Sequence, residues 1–127
     1  MRFLVVDDSA TMRRIVVNSL NRIGYEDTLE AGDGEEAMEL FGPEIGCVIT
    51  DWNMPKMTGI DFVRALRAHP DGASIPILMV TTRSVREDIL AAIEAGVNNY
   101  IVKPFTPLVL KEKIDGVLRA AGVAQGV

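Results

Sequence analysis

Aromatic side chains are scarce in this sequence: four Phe, two Tyr and one Trp make up 6% of 127 residues, so any core must be aliphatic. Cysteine occurs once, at Cys47, which excludes an internal disulfide framework and any multi-cysteine zinc site. Histidine also occurs once, at His69, and this removes most imidazole-based metal and triad chemistry. Long apolar runs are missing too. Phe3 to Val6 is stopped by Asp7 and Asp8, whereas a secretory signal needs a longer apolar core and a membrane span about 20 apolar residues. The expected location is a reducing cytoplasm, with no membrane insertion. Basic charge is in deficit, 13 Lys and Arg against 18 Asp and Glu, for a net charge of −5. A sequence pI near 4.8 argues against a nucleic-acid partner, which would need a dense basic patch.

What is present is ordinary for a globular chain: 48% hydrophobic and 24% charged residues, at a length that holds one domain and not two. Short β-branched runs alternate with longer amphipathic stretches. Phe3 to Val6, Thr28 to Ala31, Cys47 to Thr50, Ile77 to Val80 and Asn99 to Val102 read as strands. Between and after them lie five helical patterns. The first, Ala10 to Ile23, is closed by Gly24; the second opens at Asp33 and the third at Thr58. The fourth opens with a Ser84–Glu87 capping box and runs to Gly96. The last is capped by Thr106, has Pro107 in its first turn and reaches about Ala121. Residues 122–127 are small and uncharged, and are expected to fray. Five β-α units without repeats or linkers predict a doubly wound α/β domain with a parallel sheet and helices on both faces. Such sheets bind outside the carboxyl ends of their strands.

Those ends carry chemistry. Asp7 and Asp8 follow the first strand, Asp51 ends the third, Thr81 the fourth and Lys103 the fifth. Three convergent carboxylates repel one another unless a cation sits among them, and an all-oxygen set selects a hard ion, Mg²⁺ before Zn²⁺. Mg²⁺ takes one or two carboxylates, so one is left to act as a nucleophile toward phosphorus, giving an aspartyl phosphate. Lys103 and Thr81 are suitable donors to the phosphoryl oxygens. Each residue alone has a plainer reading: an Asp after a strand caps a turn, a Thr suits a strand, and a Lys is solvated. Specificity lies in the joint placement.

Val5-Val6-Asp7-Asp8-Ser9, Thr50-Asp51-Trp52-Asn53-Met54-Pro55, Met79-Val80-Thr81-Thr82 and Lys103-Pro104-Phe105 occur in order at the strand ends. Over residues 2 to 121 the chain resembles the receiver domains of bacterial two-component response regulators, and within them the chemotaxis regulators. The resemblance implies a five-stranded sheet in the order 2-1-3-4-5. It implies a receiver domain over residues 1–121, a short tail at 122–127 and no output domain, acting as a monomer. Asp51 would accept a phosphoryl group from a sensor histidine kinase. Asp8 and Asp51 would ligate Mg²⁺ through carboxylates, Asn53 through its backbone carbonyl and Asp7 through water. Lys103 and Thr81 would hold the phosphoryl group, Tyr100 would turn inward with Thr81, and the Lys103–Pro104 bond would be cis. Two residues depart from the pattern: Thr82 stands where Ala or Gly is usual, and Arg83 where chemotaxis members often carry Glu.

The output face is expected on the fourth helix, fifth strand and fifth helix. Ile89 and Ile93 are four apart and share a stripe, with Leu90 and Val97 left to supply core contacts. Periodicity alone allows both isoleucines to be core. The resemblance favours a groove for a helix of the flagellar motor switch, with Lys113 pairing an acidic residue of that partner. Trp52 reads as a partly exposed loop aromatic, Cys47 as a buried small apolar residue and Arg13-Arg14 as a solvated pair. Competing readings are a phosphorelay intermediate, a regulator unrelated to motility, and a haloacid-dehalogenase-type phosphatase. The last wants a second Asp where Asn53 stands. A flavin carrier is disfavoured, because Asp7 and Asp8 would repel its phosphate.

Overall fold

The computed structural model describes residues 1–122; the expectation for the tail falls, from residue 123 on, outside the described residues. Five strands, β1 (Arg2–Val6), β2 (Thr28–Ala31), β3 (Ile45–Thr50), β4 (Ile77–Thr81) and β5 (Asn99–Val102), form one parallel sheet in the order β2-β1-β3-β4-β5. The helices are α1 (Ala10–Arg22), α2 (Gly34–Leu40), α3 (Gly59–Ala68), α4 (Arg86–Ala95) and α5 (Pro107–Ala120), with a short 3₁₀ turn at Pro70–Gly72. This is the doubly wound α/β domain anticipated from the sequence.

The central strands are apolar throughout because both faces are covered. Alternate residues divide between two cores. Leu4, Val6, Val48, Ile77 and Met79 meet α2, α3 and α4 through Ala37, Phe62, Val63, Leu66 and Ala92. Phe3, Val5, Cys47, Ile49, Leu78, Val80 and Ile101 meet α1 and α5 through Val16, Leu20, Leu110, Ile114 and Leu118. Cys47 belongs to this second core, where burial pushes its thiol up to about 12, so it packs as an inert apolar residue.

Helix starts follow the local chemistry. Ser9, Asp33, Thr58 and Thr106 each accept a backbone N–H from the first turn of their helix. α4 departs from expectation. Its N-cap is Val85 with no side-chain cap, and the Ser84–Glu87 box does not form. Helical backbone begins at Arg86, which puts Asp88 at the third position, and Asp88 is paired instead with Arg83 at 3.4 Å.

At the amino ends of β4 and β5, Arg67 of α3 joins four segments. Its Nε and Nη2 donate to the Gly96 carbonyl at 3.1 and 2.7 Å, and its Nη1 donates to Gly72 and Ile75 at 2.9 and 2.8 Å. Nη2 also reaches the Asn98 side-chain oxygen, which accepts the Ile77 N–H at 2.7 Å. Gly96, at φ +119, closes α4 in the left-handed conformation and turns that carbonyl toward Arg67.

Candidate functional site

The chain reverses its winding direction between β1 and β3, and the crevice at their carboxyl ends is where a doubly wound sheet binds. β1 delivers Asp7 and Asp8 there. β3 delivers Asp51, whose N–H donates to the Val6 carbonyl at 2.9 Å and carries the ladder one residue past the strands. The ligand atoms of Asp7, Asp8 and Asp51 lie within 4.8 Å of one another. Asp7 and Asp51 are buried while Asp8 is exposed, so the cluster opens to solvent on one side.

From β5, Lys103 reaches across the strand ends. Its Nζ donates to Asp7 Oδ2 at 2.9 Å and to Asp51 Oδ2 at 3.0 Å. The remaining oxygens are held by the backbone: Ser9 N–H donates to Asp7 Oδ1 at 2.9 Å and Trp52 N–H to Asp51 Oδ1 at 2.6 Å. Burial raises the Asp7 carboxyl above its ordinary value, with the Lys103 hydrogen bond opposing. For Lys103 burial pulls downward, but its bonds to Asp7 and Asp51 outweigh this and the ammonium is raised. One ammonium against three carboxylates leaves an excess of negative charge. The donors are all hard oxygens, a set that fits a divalent cation of the Mg²⁺ kind.

α3 begins directly behind Asp51. Gly59 N–H donates to the Trp52 carbonyl at 2.8 Å, and a Cβ at position 59 would lie 2.1 Å from the Asp51 carbonyl oxygen, so only glycine permits this approach. Thr81 is fully buried at the end of β4, and its Oγ1 accepts the Arg83 N–H at 3.4 Å. Tyr100 of β5 is 8% exposed, and its hydroxyl donates to the Arg83 carbonyl at 2.5 Å. The Lys103–Pro104 peptide is cis, as the resemblance implied.

Two sequence expectations are corrected. Leu90 is not a core residue but 49% exposed, while Ile89 is half-buried and packs on the core beside Ala92 and Ala95. Ile93 is 46% exposed, so the outward stripe of α4 is Leu90 and Ile93, not Ile89 and Ile93. The physical reason is that α4 rests on Ala92: Ile89, three residues before it, shares that buried face, whereas Leu90 and Ile93, two before and one after, project away from it. Second, Arg13 is not solvated. Its guanidinium donates to the Asp7 carbonyl and to Glu30 Oε1 at 3.2 Å, tying α1 to the ends of β1 and β2. A guanidinium one turn into a helix that follows two carboxylates was the available signal. Lys113 is half-buried on α5, and Trp52 is half-buried with the Arg83 guanidinium carbon 4.5 Å from its ring centroid.

Residues 3–115 match the family profile of the response regulator receiver domain, and the chain belongs to that family. Its members are signalling proteins and not enzymes of the ordinary kind. Among its relatives, the chain is 55% identical over 120 residues to chemotaxis protein CheY1 of Helicobacter pylori, covering 93% of this chain and 97% of that one. It is 50% identical to chemotaxis protein CheY of Pseudomonas aeruginosa over 118 residues, 92% of this chain and 95% of the relative. Among solved structures, the chemotaxis response regulator CheY4 of Vibrio cholerae superposes with a TM-score of 0.84 at 36% identity, covering 92% of this chain and 98% of that one.

Proposed function

We propose that this chain is a chemotaxis response regulator in which Asp51 takes a phosphoryl group from a sensor histidine kinase. The observation that carries the reading is Lys103 bridging Asp7 and Asp51 in an otherwise acidic crevice. A carboxylate oxygen of Asp51 forms the bond to phosphorus as the phosphorus–nitrogen bond of the kinase phosphohistidine breaks. The leaving imidazole keeps the electron pair and takes a proton. Asp8, Asp51 and the Asn53 carbonyl would hold Mg²⁺, with Asp7 acting through water, and the ion would supply charge neutralisation for the transferring group. Lys103 leaves its carboxylates to hold a phosphoryl oxygen, Thr81 donates to another, and Tyr100 fixes the resulting arrangement beneath α4.

Output goes through α4, β5 and α5 to the flagellar motor switch. The structural correction moves the apolar contribution to Leu90 and Ile93, with Val102 exposed alongside, Ile89 supporting from below and Lys113 contributing charge. Among the described residues no helix is long and apolar enough to cross a membrane. Acetyl phosphate with Mg²⁺ is expected to add one phosphoryl group by intact mass, and Asp51→Asn to abolish it. Labelling that survives in Asp51→Asn would assign the acceptor elsewhere.

A further inference from the structure

Arg83 touches more of the switch machinery than any function given to it so far requires. Its Nε and Nη2 both donate to Asn53 Oδ1, at 3.1 and 2.9 Å, and its Nη1 pairs with Asp88 of α4 at 3.4 Å. The guanidinium stacks on Trp52, while the backbone of the same residue donates to Thr81 and accepts from Tyr100. One side chain therefore pins the loop after β4 to the loop after β3 and to the first turn of α4. The carbonyl that receives the Tyr100 phenol belongs to the pinned residue. An arginine suits this work because its planar fork makes two bonds to one acceptor and stacks at the same time, which an ammonium does not.

We propose that Arg83 is a positioning residue that holds Tyr100 inward: its guanidinium fixes the loop after β4, and so keeps the Arg83 carbonyl where the phenol can donate to it. This deepens the proposed function, since it rests on Tyr100 acting as the switch residue. In Arg83→Ala the loop is released and the phenol loses an ordered acceptor. In Arg83→Lys the charge opposite Asp88 is kept and the fork to Asn53 is lost, so an intermediate state results.

Nitration by tetranitromethane, mapped by peptide mass, reads the accessibility of Tyr100, with Tyr25 as internal control. In Arg83→Ala the Tyr100 rate is expected to rise about fivefold, the weight of one ordinary hydrogen bond, with Arg83→Lys between the two. Trp52 emission should change in Arg83→Ala as the stacked guanidinium is removed. Equal Tyr100 rates in wild type and Arg83→Ala, with Trp52 emission altered, would overturn the proposal. Should Arg83→Ala not fold by circular dichroism, Asn53→Ala removes the acceptor of the fork instead and must raise the Tyr100 rate for the proposal to stand. Labelling of Asp51 by acetyl phosphate is followed separately. A wild type that takes no phosphoryl group refutes the functional reading, while the nitration comparison still judges Arg83.

Discussion

Lys103 is held by two carboxylates that would otherwise face each other across the end of the sheet, and this gives its titration a consequence for stability. Its ammonium is raised above the ordinary 10.5, so the folded chain binds that proton more tightly than the unfolded chain does. The stabilisation is complete below 10.5 and is lost as pH rises through the higher folded value. Asp7 works in the other sense. Burial raises its carboxyl above 3.8, so the fold carries the ionised form at a cost that acidification through the raised value relieves. Thermal melts taken upward through pH 10.5 are therefore expected to show a falling midpoint in wild type. In Lys103→Met that component of the alkaline slope should be missing, and the midpoint at neutral pH should already be lower because Asp7 and Asp51 have lost their shared cation. A Lys103→Met protein with the wild-type slope and midpoint would show the bridge to be without energetic weight. The residues of this site were legible because strand-ending polar groups stand out against apolar runs. Arg13, Arg83 and Gly59 were not, because what each does depends on a segment distant in sequence and brought close only by folding.

At the scale of elements, α4 is where pattern reading and structure part. Ile89, Leu90 and Ile93 allow two apolar stripes, and hydrophobicity alone does not choose between them. The choice is made by Ala92, whose small side chain lets the helix settle against the sheet. Ile89→Ala is accordingly expected to cost about 1–2 kcal/mol, a half-buried share of the usual large-to-small penalty. Leu90→Ser and Ile93→Ser should stay within about 0.5 kcal/mol of wild type in urea denaturation, as exposed sites do. The reverse ranking would restore Leu90 to the core. The other end of α4 hangs on Arg67, which the sequence presents as one more charged residue on a helix. Its partners are backbone carbonyls and one amide oxygen, groups that sequence reading does not see. Burial lowers the guanidinium's proton affinity, so its hydrogen bonds are made in a partly desolvated setting where they matter. Arg67→Ala should destabilise by about 3 kcal/mol and speed amide exchange at Val97 and Asn98 ahead of the rest of the sheet. Uniform exchange across the molecule would mean that the staple is not local.

For the whole molecule, the acidic crevice makes stability depend on divalent cation. A metal that binds only the folded chain, present at one hundred times its dissociation constant, adds about 2.7 kcal/mol, or roughly 10 °C in midpoint for a domain of this size. Asp8→Asn should remove most of that response while raising the midpoint in chelator, since it deletes one of three repelling carboxylates. A midpoint indifferent to Mg²⁺ in wild type would argue that Lys103 alone neutralises the cluster. The fold class was readable from alternation and length, because five β-α units predict a parallel sheet covered on both faces, whereas the strand order followed only from the resemblance. The bond from Lys103 to Asp7 joins residues 96 apart in the chain. On the ribosome, therefore, a nascent chain that has already exposed all three carboxylates still lacks their counter-charge. The crevice is completed late, only after residue 103 has left the exit tunnel and its ammonium can reach Asp7 and Asp51.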